Sequence, residues 1–206
     1  MTQDADDAAR LEGLWAGEFG DDYVARNQAA GDGRRPFWEA RLARIEAGSA
    51  LEVGCNVGAN VQWLAELLGA GNVAAVDVNE RALEILRARV PDVDARKASA
   101  RALPFDDASF DLVFTTGVLI HQPPDELPRV MDEIVRCSRR YVLCGEYRAD
   151  SLEEVPYRGQ EGALFRHDYG RLYQERHPSL RLVEEGFLPR ADGVWDDIAF
   201  WVFEKA

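Results

Sequence analysis

From residue 50 onward the chain alternates short apolar runs with longer stretches of helical period. That alternation admits few folds, because it is the pattern of a parallel sheet wrapped by helices. "ALEVG" (50–54) reads as a first strand, after which Val61, Leu64 and Leu68 share a helical face until "GAGN" stops the helix. "VAAVDV" is a second strand ending on an acid. Asn79 is placed to cap a helix whose Leu83, Leu86 and Val90 share a face and which Pro91 closes. "DARKAS" is a weaker third strand and "FDLVFTTG" a buried fourth. Leu127, Val130, Met131, Ile134 and Val135 mark an amphipathic helix before a fifth strand, "RYVLCGEY". A late helix, "YGRLYQER", precedes a final antiparallel pair, "LRLVEEGF" and "DIAFWVFEKA". Ahead of this core, "DDAARLEGLWAGEFGDDYVARN" and "RRPFWEARLARI" read as two helices joined by the glycine-containing loop "QAAGDG".

At 206 residues the chain suits one domain, and no repeat, low-complexity tract or linker divides it. Lys and Arg number 24 against 37 Asp and Glu, a net charge of −13 that disfavours nucleic acid or an anionic membrane as the main partner. The acidic start "MTQDADDAAR" lacks the basic and apolar regions of a signal peptide, and no apolar run approaches the ~20 residues of a membrane span. Cytoplasmic residence is therefore expected, with Cys55, Cys137 and Cys144 as reduced thiols. His121, His167 and His177 lack metal-ligand spacing with one another or with the cysteines, so no metal is expected. A small-molecule ligand and a monomer or homodimer fit these bounds.

The turn "LEVGCNVGAN" (51–60) is the strongest local signal. A dinucleotide fingerprint starting at Gly54 requires glycine at 56 and 59, where the chain has Asn56 and Ala59, and this weakens a nicotinamide oxidoreductase reading. The pattern acid-x-G-x-G-x-G fits better, with Glu52, Gly54 and Gly58 in register and Asn56 as the one departure. Asparagine tolerates positive φ, so the turn survives that change. Asp77 follows Gly58 by 77 − 58 = 19 residues, the usual distance for a carboxylate that binds ribose hydroxyls.

These motifs, with the acid in "VAAVDVNERAL" and the run "ARALPFDDASFDLVFTTGVLIHQ", resemble class I S-adenosylmethionine-dependent methyltransferases over residues 50 to 145. The resemblance implies an α/β, Rossmann-like fold: a seven-stranded, mostly parallel sheet with an antiparallel terminal strand. It implies a single methyltransferase domain over 1–206, with a helical lid at 1–48, a core at 49–206 and a substrate loop at about 148–170. Glu52, Gly54, Cys55, Asn56 and Gly58 would cradle the amino-acid part and sugar of S-adenosylmethionine. Asp77 would hold the ribose, Val78 would lie on the adenine, and Ser99 with Ala100 would meet its edge. Aspartate commonly stands where this chain has Ser99. Thr116 and Gly117 would approach the cofactor amino group. A narrower likeness, carried by "LWAGEFGDDYVARN", "YVLCGEY", "VPYRGQEGALFRHDYG" and "DDIAFWVFEKA", is to methylases associated with pseudaminic acid biosynthesis.

Methyl transfer is in-line displacement at an already activated carbon, so the protein's tasks are positioning and exclusion of water. His121, following the fourth strand, is the candidate base, with packing as its alternative role. Glu146 and Tyr147, at the end of the fifth strand, are candidates for binding and activating the acceptor. Tyr157, Arg158, Arg166 and His167 occupy the segment where open α/β folds place substrate loops. Trp15 and Phe19 are candidate acceptor contacts from the lid, and Tyr23, Arg26 and Asn27 candidate partners of the cofactor carboxylate. Asp196 and Asp197 sit on the turn into the last strand, where a plain turn role is favoured over a contact with the acceptor. The expected reaction is methylation of a hydroxyl or amine on a small polar metabolite, such as a sugar or nonulosonic acid, with S-adenosylhomocysteine as co-product. N-methylation of an amino acid, peptide or other small amine is the close alternative, and a non-catalytic cofactor-binding subunit the more distant one.

Overall fold

The computed structural model describes residues 3–28 and 32–206, so part of the "QAAGDG" loop lies outside the described residues. Three helices come first: α1 (Gln3–Ala16), α2 (Glu18–Arg26) and α3 (Arg35–Leu42). The core follows as β1 (Ala50–Val53), α4 (Val61–Leu68), β2 (Val73–Asp77), α5 (Glu80–Arg89), β3 (Asp94–Lys97), β4 (Phe110–Thr116), α6 (Leu127–Cys137) and β5 (Ser138–Glu146). Two short strands, β6 (Glu153–Glu154) and β7 (Phe165–Arg166), precede α7 (Tyr169–Arg176), β8 (Leu180–Leu188) and β9 (Ile198–Lys205).

Seven strands form one sheet in the order β3-β2-β1-β4-β5-β9-β8. The first five run parallel, and β9 is antiparallel to both of its neighbours. The chain thus moves outward from β1 to β3, returns to β4 and continues the other way. Strand order reverses between β1 and β4, and the carboxyl ends of that pair open the crevice in which such sheets bind ligands. Leu51 sits in register with Ala74 on β2 and Val113 on β4, which aligns the ends of the three central strands.

Alternation along the strands feeds two cores. Ala50, Ala75, Leu112 and Phe114 face α3, α4 and α5 through Trp38, Leu64, Leu83 and Leu86. Leu51, Val53, Val76 and Val113 face α6 and α7 through Val130, Met131, Ile134 and Tyr173. Helix α5 begins as its sequence predicts, the Asn79 side chain accepting a hydrogen bond from the Ala82 N–H.

Two expectations require correction. The stretch read as one N-terminal helix is two, because Gly17 adopts an extended conformation (φ −106°, ψ −156°) that turns α2 away from α1. The segment at 148–170 is not only a loop: β6 and β7 pair as a short antiparallel ribbon, Glu154 opposite Phe165.

Candidate functional site

The turn after β1 is fixed by two contacts that leave no room for a side chain. Gly54 has φ +76°, and a Cβ there would lie 2.4 Å from a Val118 methyl; Gly58 has φ +80° and would meet Leu86 at 2.4 Å. Between them Asn56 takes φ +46°, the left-handed conformation that asparagine tolerates. Its N–H, 2.7 Å from Asp77 Oδ2, and the Asn79 N–H, 2.9 Å from Oδ1, orient the carboxylate at the end of β2. Burial pushes the Asp77 carboxyl above its ordinary value, and these backbone donors oppose the shift. Cys55 is buried, and its N–H is spent on the Val76 carbonyl, so it contributes shape rather than a free donor.

Along the carboxyl edge of the sheet, two adjoining cavities share Tyr23, Gly54, Asn56, Thr116, Gly117 and His121. The first extends over Asp77 and Val78 to Ala98, Ser99 and Ala100, roofed by Ala8, Leu11, Glu12 and Trp15 of α1. Those four positions share one helical face. Ser99 Oγ donates to Glu12 Oε2 at 2.6 Å, and Arg101 reaches the same oxygen at 2.7 Å.

The second cavity is more polar. Glu52, on β1, is almost wholly buried; one of its oxygens accepts from Asn60 Nδ2 at 2.6 Å, and the other is buried without a hydrogen-bond partner among the described residues. Burial pushes its carboxyl up to about 8 against the pull of Asn60 and Arg34. Arg34 donates to Asn60 Oδ1 at 3.1 Å, lies over the Trp195 ring at 4.2 Å and has a buried Nε with no hydrogen-bond partner among the described residues. Asn60 Nδ2 also reaches Thr116 Oγ1 at 3.0 Å, so one amide organises the cluster.

His121 borders both cavities. Its Nδ1 lies 2.7 Å from the Ala163 carbonyl, and a carbonyl only accepts, so Nδ1 carries the proton and Nε2 keeps its lone pair. Burial pulls this imidazole down to about 4, which keeps it neutral around pH 7. Trp15 packs on it with ring centroids 4.4 Å apart, and Tyr157 stands 5.1 Å away on another side. Phe19 lies against Trp15 and Tyr157 and backs this aromatic wall without lining either cavity. Tyr23 and Tyr147, which line the polar cavity, are pushed up to about 12 by burial and act as donors rather than bases.

Several sequence-predicted residues stand elsewhere. Glu146 is fully buried and turned away from the cavities: its carboxylate accepts from the N–H groups of Val118 and Ile120, so it holds the loop bearing His121 instead of meeting an acceptor. Arg26, predicted at the cofactor carboxylate, is exposed, and Arg34 occupies that neighbourhood; Asn27 does line the polar cavity. Arg158 is exposed and lies 5.8 Å from the ring of its neighbour Tyr157. Arg166 is exposed on β7, while His167 lines a separate groove with Leu152 and Tyr169. Asp196 borders the polar cavity, whereas Asp197 accepts from the Arg190 N–H in a turn. Sequence reasoning did not single out Glu12, Arg34 or Asn60, which line the cavities; the paired charges of Arg34 and Arg35 were visible, but not the inward direction of Arg34.

Residues 50–140 match the family model for a methyltransferase domain. A methyltransferase from Streptomyces halstedii is 32% identical over 126 residues, 57% of this chain and 45% of that protein. A demethylmenaquinone methyltransferase from Lactococcus lactis is 31% identical over 125 residues, 56% of this chain and 49% of its own length. This chain thus spans about half the length of these curated relatives. Among solved structures, the Burkholderia thailandensis 1,6-didemethyltoxoflavin-N1-methyltransferase, with 1,6-didemethyltoxoflavin and S-adenosylhomocysteine bound, superposes with a TM-score of 0.76 at 20% identity. That match covers 100% of this chain and 92% of the other. The Synechocystis magnesium protoporphyrin IX methyltransferase, with S-adenosylmethionine bound, gives 0.71 at 14% identity and covers 100% of both chains. The fold is that of the class I methyltransferases.

Proposed function

We propose that this protein is an S-adenosylmethionine-dependent methyltransferase acting on a hydroxyl or amine of a small polar metabolite. One observation carries the reading. Two carboxylates, the buried Glu52 and the half-buried Asp77, stand at the carboxyl ends of adjacent parallel strands and line adjoining cavities that run from a polar cluster to the apolar wall of Val78, Ala98 and Ala100. A nucleoside with a cationic amino-acid tail matches that order. The unpartnered Glu52 oxygen fits an ammonium donor, Asp77 fits the ribose hydroxyls, and Arg34 with its unpartnered Nε fits the tail carboxylate.

Bound there, the cofactor would supply an electrophilic methyl group. The protein's own residues do the rest. The lid face of α1 excludes water from the junction of the two cavities. Tyr23, Tyr147 and Tyr157 offer hydroxyl and aromatic contacts to an acceptor, and His121 Nε2 accepts the acceptor's hydrogen bond or proton. Because this imidazole is so weakly basic, it suits an acceptor that becomes acidic as it reacts. Sugar and nonulosonic acid hydroxyls remain the leading acceptor class, carried by the resemblance of the lid and C-terminal motifs. An amine acceptor is the second reading, favoured by the Asp196 carboxylate, which lines the polar cavity together with Tyr23, Tyr147, Tyr157 and Trp195.

The test is mass spectrometry of incubations with S-adenosylmethionine and a panel of nonulosonic acids, their nucleotide-activated forms, amino sugars, amino acids and short peptides. A gain of one methyl on a sugar with release of S-adenosylhomocysteine is the expected result. Gain only on an amine would select the second reading. Failure to bind S-adenosylhomocysteine in titration would refute the cofactor assignment.

A further inference from the structure

Adenine is distinguished from other purines at its 6-position, where an amino group donates hydrogen bonds and hypoxanthine instead presents an accepting carbonyl. A site that reads this difference needs an acceptor, best a carboxylate, at the rim of the base pocket. Beyond Asp77, the first cavity ends on Ala98, Ser99 and Ala100, whose side chains offer a hydroxyl and two methyls. The hydroxyl proton is already committed, since Ser99 Oγ donates to Glu12 at 2.6 Å. The one carboxylate among the residues lining that end is Glu12, which arrives from α1, 99 − 12 = 87 positions away in the chain.

Glu12 is held as an anion and aimed. Ser99 and Arg101 both bind Oε2, and Oε1 makes no hydrogen bond among the described residues. Partial burial would raise this carboxyl, but bonding to Ser99 and Arg101 together outweighs it and keeps the group below its ordinary value. Leu11 and Trp15, on the same face of α1, line the same cavity, so the helix that brings the carboxylate also supplies apolar cover for a base.

We infer that Glu12 is the adenine-reading residue of this protein, a carboxylate delivered by the lid helix to accept from the 6-amino group of the cofactor base. The inference rests on the proposed cofactor. It also makes α1 part of the cofactor site, with Glu12 at the base and Trp15, one turn on, against His121.

Titration of the full chain with S-adenosylhomocysteine and with its hypoxanthine counterpart, S-inosylhomocysteine, tests this without reference to activity. The wild type should prefer the adenine compound by roughly 10- to 100-fold. Glu12→Gln, whose amide serves a donor or an acceptor equally, should bring the two affinities within about threefold. Arg101→Gln breaks the same ion pair but leaves the carboxylate, and should retain most of the preference. A Glu12→Gln protein that discriminates as well as the wild type overturns the proposal. So does loss of discrimination in Arg101→Gln as complete as in Glu12→Gln, which would make the pair a structural tie. Wild-type protein that binds neither compound would instead overturn the cofactor assignment on which the inference stands.

Discussion

Arg34 and Glu52 face each other across one amide: Asn60 accepts from the guanidinium at 3.1 Å and donates to the carboxylate at 2.6 Å. The arrangement couples a cation at the start of α3 to an acid near the end of β1 without direct contact. Burial holds Glu52 at about 8, so near pH 7 it is largely protonated in the free protein. A cationic ligand group against the unpartnered oxygen favours the ionised form, so cofactor binding should expel a proton. Calorimetric titration with S-adenosylmethionine at pH 7 in buffers of different ionisation enthalpy should report that release. Glu52→Gln should abolish it; equal release from the variant would assign the proton to another group.

The same shift sets a sign for stability. A carboxyl raised in the folded state binds more protons than in the unfolded chain, so its contribution falls as pH rises from about 4.5 toward 8. Glu52→Gln should therefore flatten the decline of Tm over that window. A parallel decline in both proteins would mean that Glu146, raised to about 7 by its own burial, dominates the dependence.

How much of this was legible depended on whether a residue's neighbours lie close in sequence. The sheet was readable because strand and helix periods are local, and the glycine turn because Gly54, Asn56 and Gly58 must take positive φ. Asn79 was readable as a cap for the same reason. Glu12 and Arg34 were not: each matches a solvated helix position in composition, and its inward direction depends on partners 87 and 26 residues away, Ser99 and Asn60. Glu146 and Tyr147 were grouped as neighbours on one edge. Successive strand residues point to opposite sides, however, and only Tyr147 reaches the cavity. The break at Gly17 escaped because Gly13 and Gly20, in the same stretch, lie inside helices, so glycine alone did not mark which position ends one.

Asp77 is held by two backbone N–H groups before any ligand arrives, so its removal should act on binding more than on folding. Asp77→Ala should weaken S-adenosylhomocysteine by roughly 10- to 100-fold, the worth of hydrogen bonds to a charged group. Titration of the variant at matched far-UV circular dichroism checks this. Affinity within about twofold of wild type would remove Asp77 from the ligand site.

His121 makes a different prediction because burial keeps it neutral down to about pH 4. Turnover should not fall as pH is lowered from 8 to 6 on its account, unlike an imidazole of ordinary basicity. His121→Ala should lower kcat by about 10²- to 10⁴-fold on a hydroxyl acceptor while leaving S-adenosylhomocysteine affinity within about threefold. Equal losses of affinity and kcat would place the ring in the cofactor shell.

Asn79 joins the N-terminal helices α1 and α2 to α5 through a single side chain. Its Oδ1 caps α5 at the Ala82 N–H, while its Nδ2 donates to the Trp15 carbonyl at 3.1 Å and to Asp21 at 2.9 Å. Substitutions separate the two functions. Asn79→Ala loses the cap, worth about 1 kcal/mol, together with both lid bonds. Asn79→Asp keeps an acceptor for Ala82 but sets a second carboxylate against Asp21, driving α2 and the end of α1 outward while α5 keeps its start. Limited proteolysis should then cut the aspartate variant within residues 17–28 several times faster than wild type, with hydrogen exchange at the start of α5 unchanged. Because the same movement withdraws Trp15 from His121 and Glu12 from Ser99, cofactor affinity should fall in step with lid opening. A variant that opens without losing affinity would show that α1 covers the site without contributing to it.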